Sequence, residues 1–324
     1  MQQFRRTSCS VTTCEHRKYK QHVHKRARRA CTAKALESTG SAWDQSAVNS
    51  VVARPGIKCG PYVRRTANLR GRDHALAHTR HSHYSRPAMP TDPAQFLVLG
   101  VIWYIVFLFS TTCHEGAHAL VAKIGGDPTA FHGGQVSLNP WPHIRREPFG
   151  TVVVPIISYI AAHWMIGWAS APYDPNWQQR YPRRAAWMAL AGPAANFTLM
   201  LLAAIAIKLG VHFGAFRPPS SANFTHVTEA TSAGAAAFAA TFLSILFVLN
   251  LLLGTFNLLP VPPLDGRNVI TIFMNDATAL RFLSWTNQGF GLIGLIAAWY
   301  LFDKIFTPLF TLALNLLYPG ASYG

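Results

Sequence analysis

Cysteine is scarce in most of this chain. Four of its five cysteines lie within the first 88 residues, and Cys113 alone lies in the long remainder. Residues 89–324 therefore hold neither a disulfide framework nor a zinc site built from cysteine thiolates. No internal repeat is visible in this part of the sequence, which argues against the duplicated architecture that is typical of many membrane transporters.

Acidic residues are few, and the positive charge is concentrated at the N-terminus. Residues 1–88 hold 18 of the 29 Lys and Arg but 4 of the 13 Asp and Glu, a net charge of +14, which leaves +2 for residues 89–324. Because residues 1–88 show no sustained apolar period, we expect a disordered basic tail. A transit peptide is an alternative, and the basic run at residues 22–29 could contact anionic lipid or nucleic acid. The net charge of +2 on residues 89–324 gives no reason to expect a nucleic-acid partner of this part of the chain.

A second interpretation removes the tail from the native protein. Met89 is followed by Pro-Thr-Asp-Pro and then by the first apolar run, as at the short N-terminus of a membrane protein. We hypothesise that translation starts at Met89 and that residues 1–88 are upstream sequence read in frame. N-terminal sequencing of the native protein that finds the tail would refute this hypothesis.

Charged residues are missing from several long stretches of residues 89–324. About 20 apolar residues span a bilayer as a helix, and five runs offer that length. The runs are about Gln95–Ile124, about Phe149–Ala171, about Ala185–Ile207, a part of Thr231–Leu264, and about Phe282–Phe302. A last apolar piece, Ile305–Leu317, contains Pro308 and is judged too short to span alone. We therefore predict an all-α polytopic membrane protein with about four to six transmembrane helices.

A metal-binding motif lies near the end of the first run. Thr112–Leu120 contains the pattern His-Glu-x-x-His. On a helix, His114 and His118 share one face and can bind a single metal ion, and Glu115 beside them can accept a proton from water. Zinc suits this set because imidazole is a good zinc ligand. The alternative is an incidental pair of core histidines, but a Glu between two His inside a bilayer is costly and calls for a functional explanation.

A third ligand is predicted after the fourth run. The stretch Phe256–Gly266 contains three prolines, which break the helix and leave Asp265 at or just below the membrane surface. Zinc in a hydrolase commonly takes three protein ligands, and a carboxylate is a frequent third one. Alternatively, Asp265 caps the N-terminus of the segment that follows.

The segment between the first two runs is polar and rich in glycine. It includes Gly125-Gly126-Asp127-Pro128 and continues from Phe131 to Pro140. We predict a short β-hairpin or extended strands at the membrane surface here.

Taken together, these motifs resemble the site-2 protease family of intramembrane zinc metalloproteases. The His-Glu-x-x-His motif is followed by Gly-Pro-x-x-Asn at residues 192–196 and by Asn-Leu-Leu-Pro-x-x-Pro-Leu-Asp-Gly at residues 257–266. The resemblance covers about residues 89–317. Residues 138–151 and 167–184 resemble the compact prokaryotic members that lack a PDZ domain, and no insertion is long enough for such a domain. Compact relatives usually carry an acidic residue soon after the position of His143, where this chain has Arg-Arg-Glu.

The resemblance implies a zinc-dependent endopeptidase that cleaves transmembrane protein substrates within the bilayer, with residues 89–324 as the protease domain. The implied zinc ligands are His114, His118 and Asp265. Glu115 is the implied catalytic base. No oligomeric state is implied.

Two asparagines are candidates for holding the substrate backbone or polarising its carbonyl, namely Asn196 and Asn257. The alternative for both is interhelical hydrogen bonding. His143 is interpreted as structural or interfacial rather than as a ligand.

The site also constrains the topology. His118 lies at the C-terminal end of the first run and Asp265 lies just past the end of the fourth, so the two can share an ion only if these runs are parallel. An odd number of crossings must then separate them. We therefore predict that the second run enters and leaves on one side as a re-entrant segment, for which Pro155 and Pro172 provide breaks.

The distribution of basic residues then orients the protein. With this topology, one side carries Lys123, Arg145, Arg146, Arg180, Arg183, Arg184, Arg267 and Arg281. The other side carries Lys208, Arg217 and Lys304, apart from the N-terminus. The positive-inside rule places the first side, and the metal, towards the cytoplasm of a bacterial inner membrane. The N-terminus then lies outside, a placement that the 18 basic residues of the tail would resist, so the topology favours a start at Met89. If the native protein keeps the tail, either this orientation or the re-entrant second run is wrong.

Two competing functions remain open from the sequence. A membrane zinc transporter or zinc-binding protein would use intramembrane His and Asp but would need no Glu base. A catalytically inactive family member would act as a binding module, although all three ligands and the base are in place.

Overall fold

The computed structural model describes residues 92–287 and 289–323. In this part of the chain, four helices are long and apolar enough to cross a membrane, as judged by length and composition: α1 (Pro93–Ile124), α6 (Pro182–His212), α7 (Ala235–Asn257) and α10 (Gly291–Leu317). This confirms an all-α polytopic architecture. The expectations for residues 1–88, including a start at Met89, lie outside the described residues.

Shorter elements connect these four helices. They are α2 (Thr129–His132), α3 (Trp141–Arg146), a π-helical turn (Phe149–Val153), α4 (Val154–Ala162), α5 (Pro175–Arg180), β1 (Phe216–Arg217), β2 (Glu229–Ala230), α8 (Gly266–Val269), a 3₁₀ turn (Ile270–Phe273) and α9 (Asp276–Thr286).

Helix α1 begins and ends at residues suited to helix termini. The Asp92 side chain accepts a hydrogen bond from the Ala94 N–H, and Pro93 occupies the first turn, where its missing N–H costs nothing. Gly125 closes the helix by donating its N–H to the Val121 carbonyl at 2.8 Å. Between these ends, one face is buried against the other helices, including Trp103, Val106 and Phe107.

Helix α6 lies between α1 and α7 and packs against both. Lipid is as apolar as a leucine side chain, so membrane helices associate by close packing and buried polar contacts rather than by the hydrophobic effect. Small residues provide such packing here, since a Cβ on Gly254 of α7 would lie 2.9 Å from the Phe197 ring of α6. The C-terminal parts of α1 and α7 both meet the N-terminal half of α6, so α1 and α7 run in the same direction.

The second apolar run is re-entrant, as the topology argument predicts. The π-helical turn and α4 contain 5 and 9 residues, which is about 21 Å of helix against about 30 Å of hydrocarbon. The helix ends at His163, which has a left-handed backbone (φ 63°). The chain then returns along it, and the Trp168 N–H donates to the Gly150 carbonyl at 3.0 Å. One spanning helix, α6, therefore separates α1 from α7.

The prediction of a β-hairpin or extended strands between the first two runs is wrong. Residues 129–132 and 141–146 form α2 and α3, and the described residues between them form turns without strands. At the start of α2, the buried Asp127 carboxylate accepts hydrogen bonds from the Thr129 backbone and hydroxyl. The carboxylate also accepts the Asp174 N–H at 2.8 Å, which ties this loop to the start of α5. The short antiparallel pair β1–β2 lies instead between α6 and α7.

The boundaries expected for the last span are also wrong. The predicted run Phe282–Phe302 is interrupted after α9, where Gly289 adopts a left-handed backbone (φ 87°). The spanning helix is α10, which includes Pro308 in its interior. Membrane helices tolerate such prolines because neighbouring groups satisfy the freed backbone atoms. The piece Ile305–Leu317, judged too short alone, is the C-terminal half of α10.

Candidate metal centre

Three side chains converge between α1, α6 and the segment after α7. The Nε2 atoms of His114 and His118 lie 3.0 Å apart, one helical turn from each other on the same face of α1. The Oδ2 atom of Asp265 lies 3.1 Å from His114 Nε2 and 3.3 Å from His118 Nε2. The structure thus brings together all three residues that the sequence predicts as ligands, although Asp265 is 147 positions from His118.

This arrangement fits a zinc ion. The three separations are close to the ~3.3 Å edge of a tetrahedron with metal–ligand bonds of about 2.0–2.1 Å. Two imidazoles and one carboxylate are also a ligand set that catalytic zinc sites use, with the fourth position open. The two imidazoles have side-chain exposures of 8% each and Asp265 has 22%, so the site is largely screened from solvent.

Both imidazoles are held by carbonyl oxygens of α6. The Nδ1 of His114 lies 2.6 Å from the Oδ1 of Asn196, and the Nδ1 of His118 lies 2.7 Å from the Met188 carbonyl. A carbonyl oxygen only accepts hydrogen bonds, so each Nδ1 donates its proton and each Nε2 presents a lone pair to the metal position.

Gly192 leaves room for these two rings. A Cβ at this position of α6 would lie 2.5 Å from His114 Nε2 and 2.6 Å from His118 Cε1, and closer still to His118 Nε2. Any larger residue would therefore occupy the space of the ligand atoms. Sequence reasoning used the Gly-Pro-x-x-Asn pattern only as a family motif and missed this steric role, which a search for glycines opposite predicted ligands could have found.

Asp265 reaches the imidazoles because the chain turns sharply after α7. Gly266 packs against the Leu258 carbonyl so closely that a Cβ would overlap it, which returns the chain towards the end of α7. Asp265 occupies the N-cap position of α8, yet its side chain makes no capping hydrogen bond. The geometry therefore favours the ligand interpretation over the capping one.

Glu115 and the two asparagines differ in their surroundings. Glu115 is 7% exposed, and its carboxylate makes no hydrogen bond within the described residues. Asn257, the last residue of α7, is half-buried, and its side chain has no hydrogen-bond partner in the same part of the chain. Asn196 is fully buried and bonds to His114 and to Asn250. For Asn196 the geometry favours the interhelical alternative, whereas the unbonded amide of Asn257 leaves both of its interpretations open.

A bundle of apolar helices around a His–His–Asp set defines a polytopic membrane protein with a buried candidate metal centre. Residues 102–296, more than half of the chain, match the sequence profile described as Peptidase family M50. The chain belongs to this metallopeptidase family, which is the site-2 protease family, and the resemblance drawn from the motifs is confirmed.

Two curated proteins are similar to this chain over most of their own length. Putative zinc metalloprotease YwhC of Bacillus subtilis (strain 168) is 32% identical over 187 residues, which cover 57% of this chain and 75% of that protein. Putative zinc metalloprotease Rip2 of Mycolicibacterium smegmatis (strain ATCC 700084 / mc(2)155) is 29% identical over 198 residues, 61% of this chain and 67% of that protein. No solved structure matches the chain.

Proposed function

We propose that this chain is a zinc-dependent intramembrane endopeptidase that hydrolyses peptide bonds in or near transmembrane segments of other membrane proteins. The observation that carries the proposal is the His114–His118–Asp265 triangle in a bundle of helices that are long and apolar enough to span a membrane, with the buried Glu115 next to His114 in the chain. The family and the names of the two relatives support a zinc metalloprotease.

The protein's own residues have separate tasks in this reaction. His114, His118 and Asp265 would hold the ion, which when bound supplies a Lewis acid that polarises the scissile carbonyl. Glu115 accepts a proton from the attacking water and returns a proton to the leaving amine nitrogen. Because the Glu115 carboxylate has no hydrogen-bond partner in the described residues, it is free to exchange a proton with water.

The depth of the site supports a substrate that lies in the membrane. His114 lies ten residues before the C-terminal end of α1, which is about 15 Å along the helix axis. A helical substrate shields its peptide bonds with its own hydrogen bonds, so it must unwind locally before attack. We assign to Asn257, whose amide has no hydrogen-bond partner in the described residues, the role of holding the exposed backbone. Residues 135–139 are not helical and could pair with an unwound substrate backbone, since the Ser137 carbonyl passes next to Gly116 of α1.

The distribution of basic residues supports an orientation with the zinc site towards the cytoplasm of the cell membrane. The end of the bundle that holds the metal centre carries the eight Lys and Arg predicted for it, on α1, α3, α5, α6, α8 and α9. Within the described residues, the far end carries Lys208 and Arg217, whereas Lys304 lies inside α10. Among these residues, the difference in basic residues between the two ends is therefore larger than the sequence suggested.

The two competing functions can be weighed at Glu115. A zinc transporter needs ligands that release the ion but no base, and an inactive relative needs neither ligands nor base. The presence of a buried, unbonded carboxylate beside a complete ligand set favours catalysis over both.

The decisive experiment is the isosteric substitution Glu115→Gln in the purified protein in detergent. Loss of a general base costs about 10²–10⁴-fold in rate, while the zinc content stays at the wild-type value because all three ligands remain. Cleavage of a transmembrane substrate and bound zinc are measured on the same sample. Glu229→Gln, at the far end of the bundle, is the matched control and keeps its activity. If Glu115→Gln cleaves as fast as wild type, the protease assignment fails.

A further inference from the structure

A chain of buried hydrogen bonds links His114 to α7. Asn196 Oδ1 accepts the His114 Nδ1 proton, and Asn196 Nδ2 donates to Asn250 Oδ1 at 2.8 Å. Asn250 Nδ2 donates in turn to Ser110 Oγ at 2.9 Å and to the Leu246 carbonyl at 2.8 Å. Ser110, Asn196 and Asn250 all have zero exposure. Because Ser110 lies one turn before His114 on α1, the chain forms a closed circuit through three helices.

The Leu246 carbonyl determines which group donates and which accepts in each of these hydrogen bonds. A backbone carbonyl only accepts hydrogen bonds, so the Asn250 amide must present its NH₂ group to Leu246 and its oxygen to Asn196. Asn196 must then present its NH₂ group to Asn250 and its oxygen to His114. His114 is left with its proton on Nδ1 and a lone pair on Nε2, the atom that faces Asp265.

The second imidazole does not need such a circuit. His118 Nδ1 donates directly to the Met188 backbone carbonyl at 2.7 Å, an acceptor that cannot reverse. An asparagine amide can reverse, because its oxygen and nitrogen are nearly the same size. The Asn196 amide therefore orients His114 reliably only if another group fixes it first.

We propose that Asn250 is a positioning residue of the metal centre, which fixes the Asn196 amide and thereby the tautomer of His114. This inference rests on the proposed function, since it assumes that the His114 Nε2 is a zinc ligand. The competing explanation is that Asn250 only joins α7 to its neighbours, as buried polar residues do in many membrane bundles.

Two substitutions at Asn250 separate these explanations. Asn250→Leu keeps the side-chain size but removes the acceptor for Asn196, so the Asn196 amide is free to reverse. Asn250→Asp presents an oxygen to Asn196 in either protonation state, and when protonated it can also donate to the Leu246 carbonyl. The proposal therefore expects Asn250→Asp to keep the metal site and Asn250→Leu to impair it. A purely structural role expects the reverse order, because a buried acid is costlier than leucine in a bilayer.

Zinc affinity is measured by competition with a chelator on the full chain in detergent. We expect Asn250→Leu to bind zinc about 10–100-fold more weakly than wild type, as is usual when an outer partner of a ligand is lost. We expect Asn250→Asp to bind zinc nearly as tightly as wild type. Equal zinc affinity in Asn250→Leu and wild type, or an equal loss in both variants, overturns the inference.

A matched control addresses destabilisation in general. Ser244 lies on the same helix, is fully buried, and accepts the backbone N–H groups of Val227 and Thr228 at the far end of the bundle. Ser244→Ala should lower thermal stability without changing zinc affinity. A loss of zinc affinity in Ser244→Ala as large as in Asn250→Leu also overturns the inference, because destabilisation alone would then explain it.

A spectroscopic measurement does not depend on any Asn250 variant folding. The ¹⁵N shifts of histidine rings distinguish the Nδ1–H from the Nε2–H tautomer in the metal-free protein, and the His114 signals are those that disappear in His114→Asn. Wild type should show the Nδ1–H tautomer, and the Nε2–H tautomer would refute the inference. Failure of wild type to bind zinc would instead refute the proposed function, so the two failures are distinguishable.

Discussion

The substitution Gly192→Ala tests the packing of the metal centre most directly. The added methyl carbon would lie 2.5 Å from His114 Nε2 and 2.6 Å from His118 Cε1, about 1 Å closer than the ~3.5 Å at which non-bonded atoms make favourable contact. Both rings belong to the same helix and are held from behind by Asn196 and the Met188 carbonyl. Neither ring can retreat without breaking a buried hydrogen bond.

The magnitude follows from the cost of overpacking. Forcing one methyl group into a well-packed site costs about 1–3 kcal/mol, and about 1.4 kcal/mol corresponds to a tenfold change in binding. The metal-bound arrangement carries this cost because it requires both rings in place. Zinc affinity should therefore fall ~5- to ~150-fold.

The assay is zinc competition with a chelator, together with thermal unfolding of the metal-free protein. The matched control is Gly291→Ala at the start of α10, where an added Cβ meets no heavy atom within 4 Å. We expect this control to bind zinc as wild type does. If Gly192→Ala and Gly291→Ala bind zinc equally well, the reasoning about the space for the imidazoles is refuted.

Two further predictions concern the third ligand and a buried histidine. Zinc at about 1,000 times its dissociation constant should stabilise wild type by about 4 kcal/mol and raise its unfolding temperature. The variant Asp265→Ala should lose most of this zinc-dependent rise. An equal rise in both proteins would exclude Asp265 as a ligand. Burial lowers the pKa of His143, and the contact with the Ser137 carbonyl and the charge of Glu115 only partly oppose it. The unfolded chain, with a histidine pKa of about 6.5, then binds more protons than the folded protein just below that pH. Stability linked to His143 is therefore complete above about pH 6.5 and is lost as the pH falls through the lowered folded pKa. His143→Gln should flatten this part of the curve of unfolding temperature against pH, and an unchanged slope would contradict the assignment.

Sequence patterns succeeded where the deciding interactions are local. The spacing of His114 and His118 predicts a shared face because helical periodicity involves only a few neighbouring residues. The run Gln95–Ile124 predicted α1 to within two residues because Asp92, Pro93 and Gly125 define its ends within the same stretch. The re-entrant second run was predicted from parity rather than from composition, since its apolar content alone resembles that of a spanning helix.

The wrong predictions concern segments whose residue composition is compatible with two different local structures. Glycine and polar residues after α1 predict a hairpin, but short helices form there, and the Asp127 carboxylate accepts a hydrogen bond from Asp174, 47 positions away. The sequence does not reveal the break before α10 because the apolar run continues through it, whereas α9 ends at Thr286 and Gly289 adopts a left-handed backbone between the two helices.

The sequence by itself determined the apolar helices, the pair of imidazoles on one face of α1, and the prolines that end α7 near Asp265. The tertiary structure alone decided that Asp265 lies 3.1 Å from His114, that Gly192 leaves space for both rings, and that Asn196 and Asn250 point their amides in one direction. Periodicity and helix termination depend on a few consecutive residues. These last features depend on helices far apart in the chain, whose distances and amide orientations only packing can set.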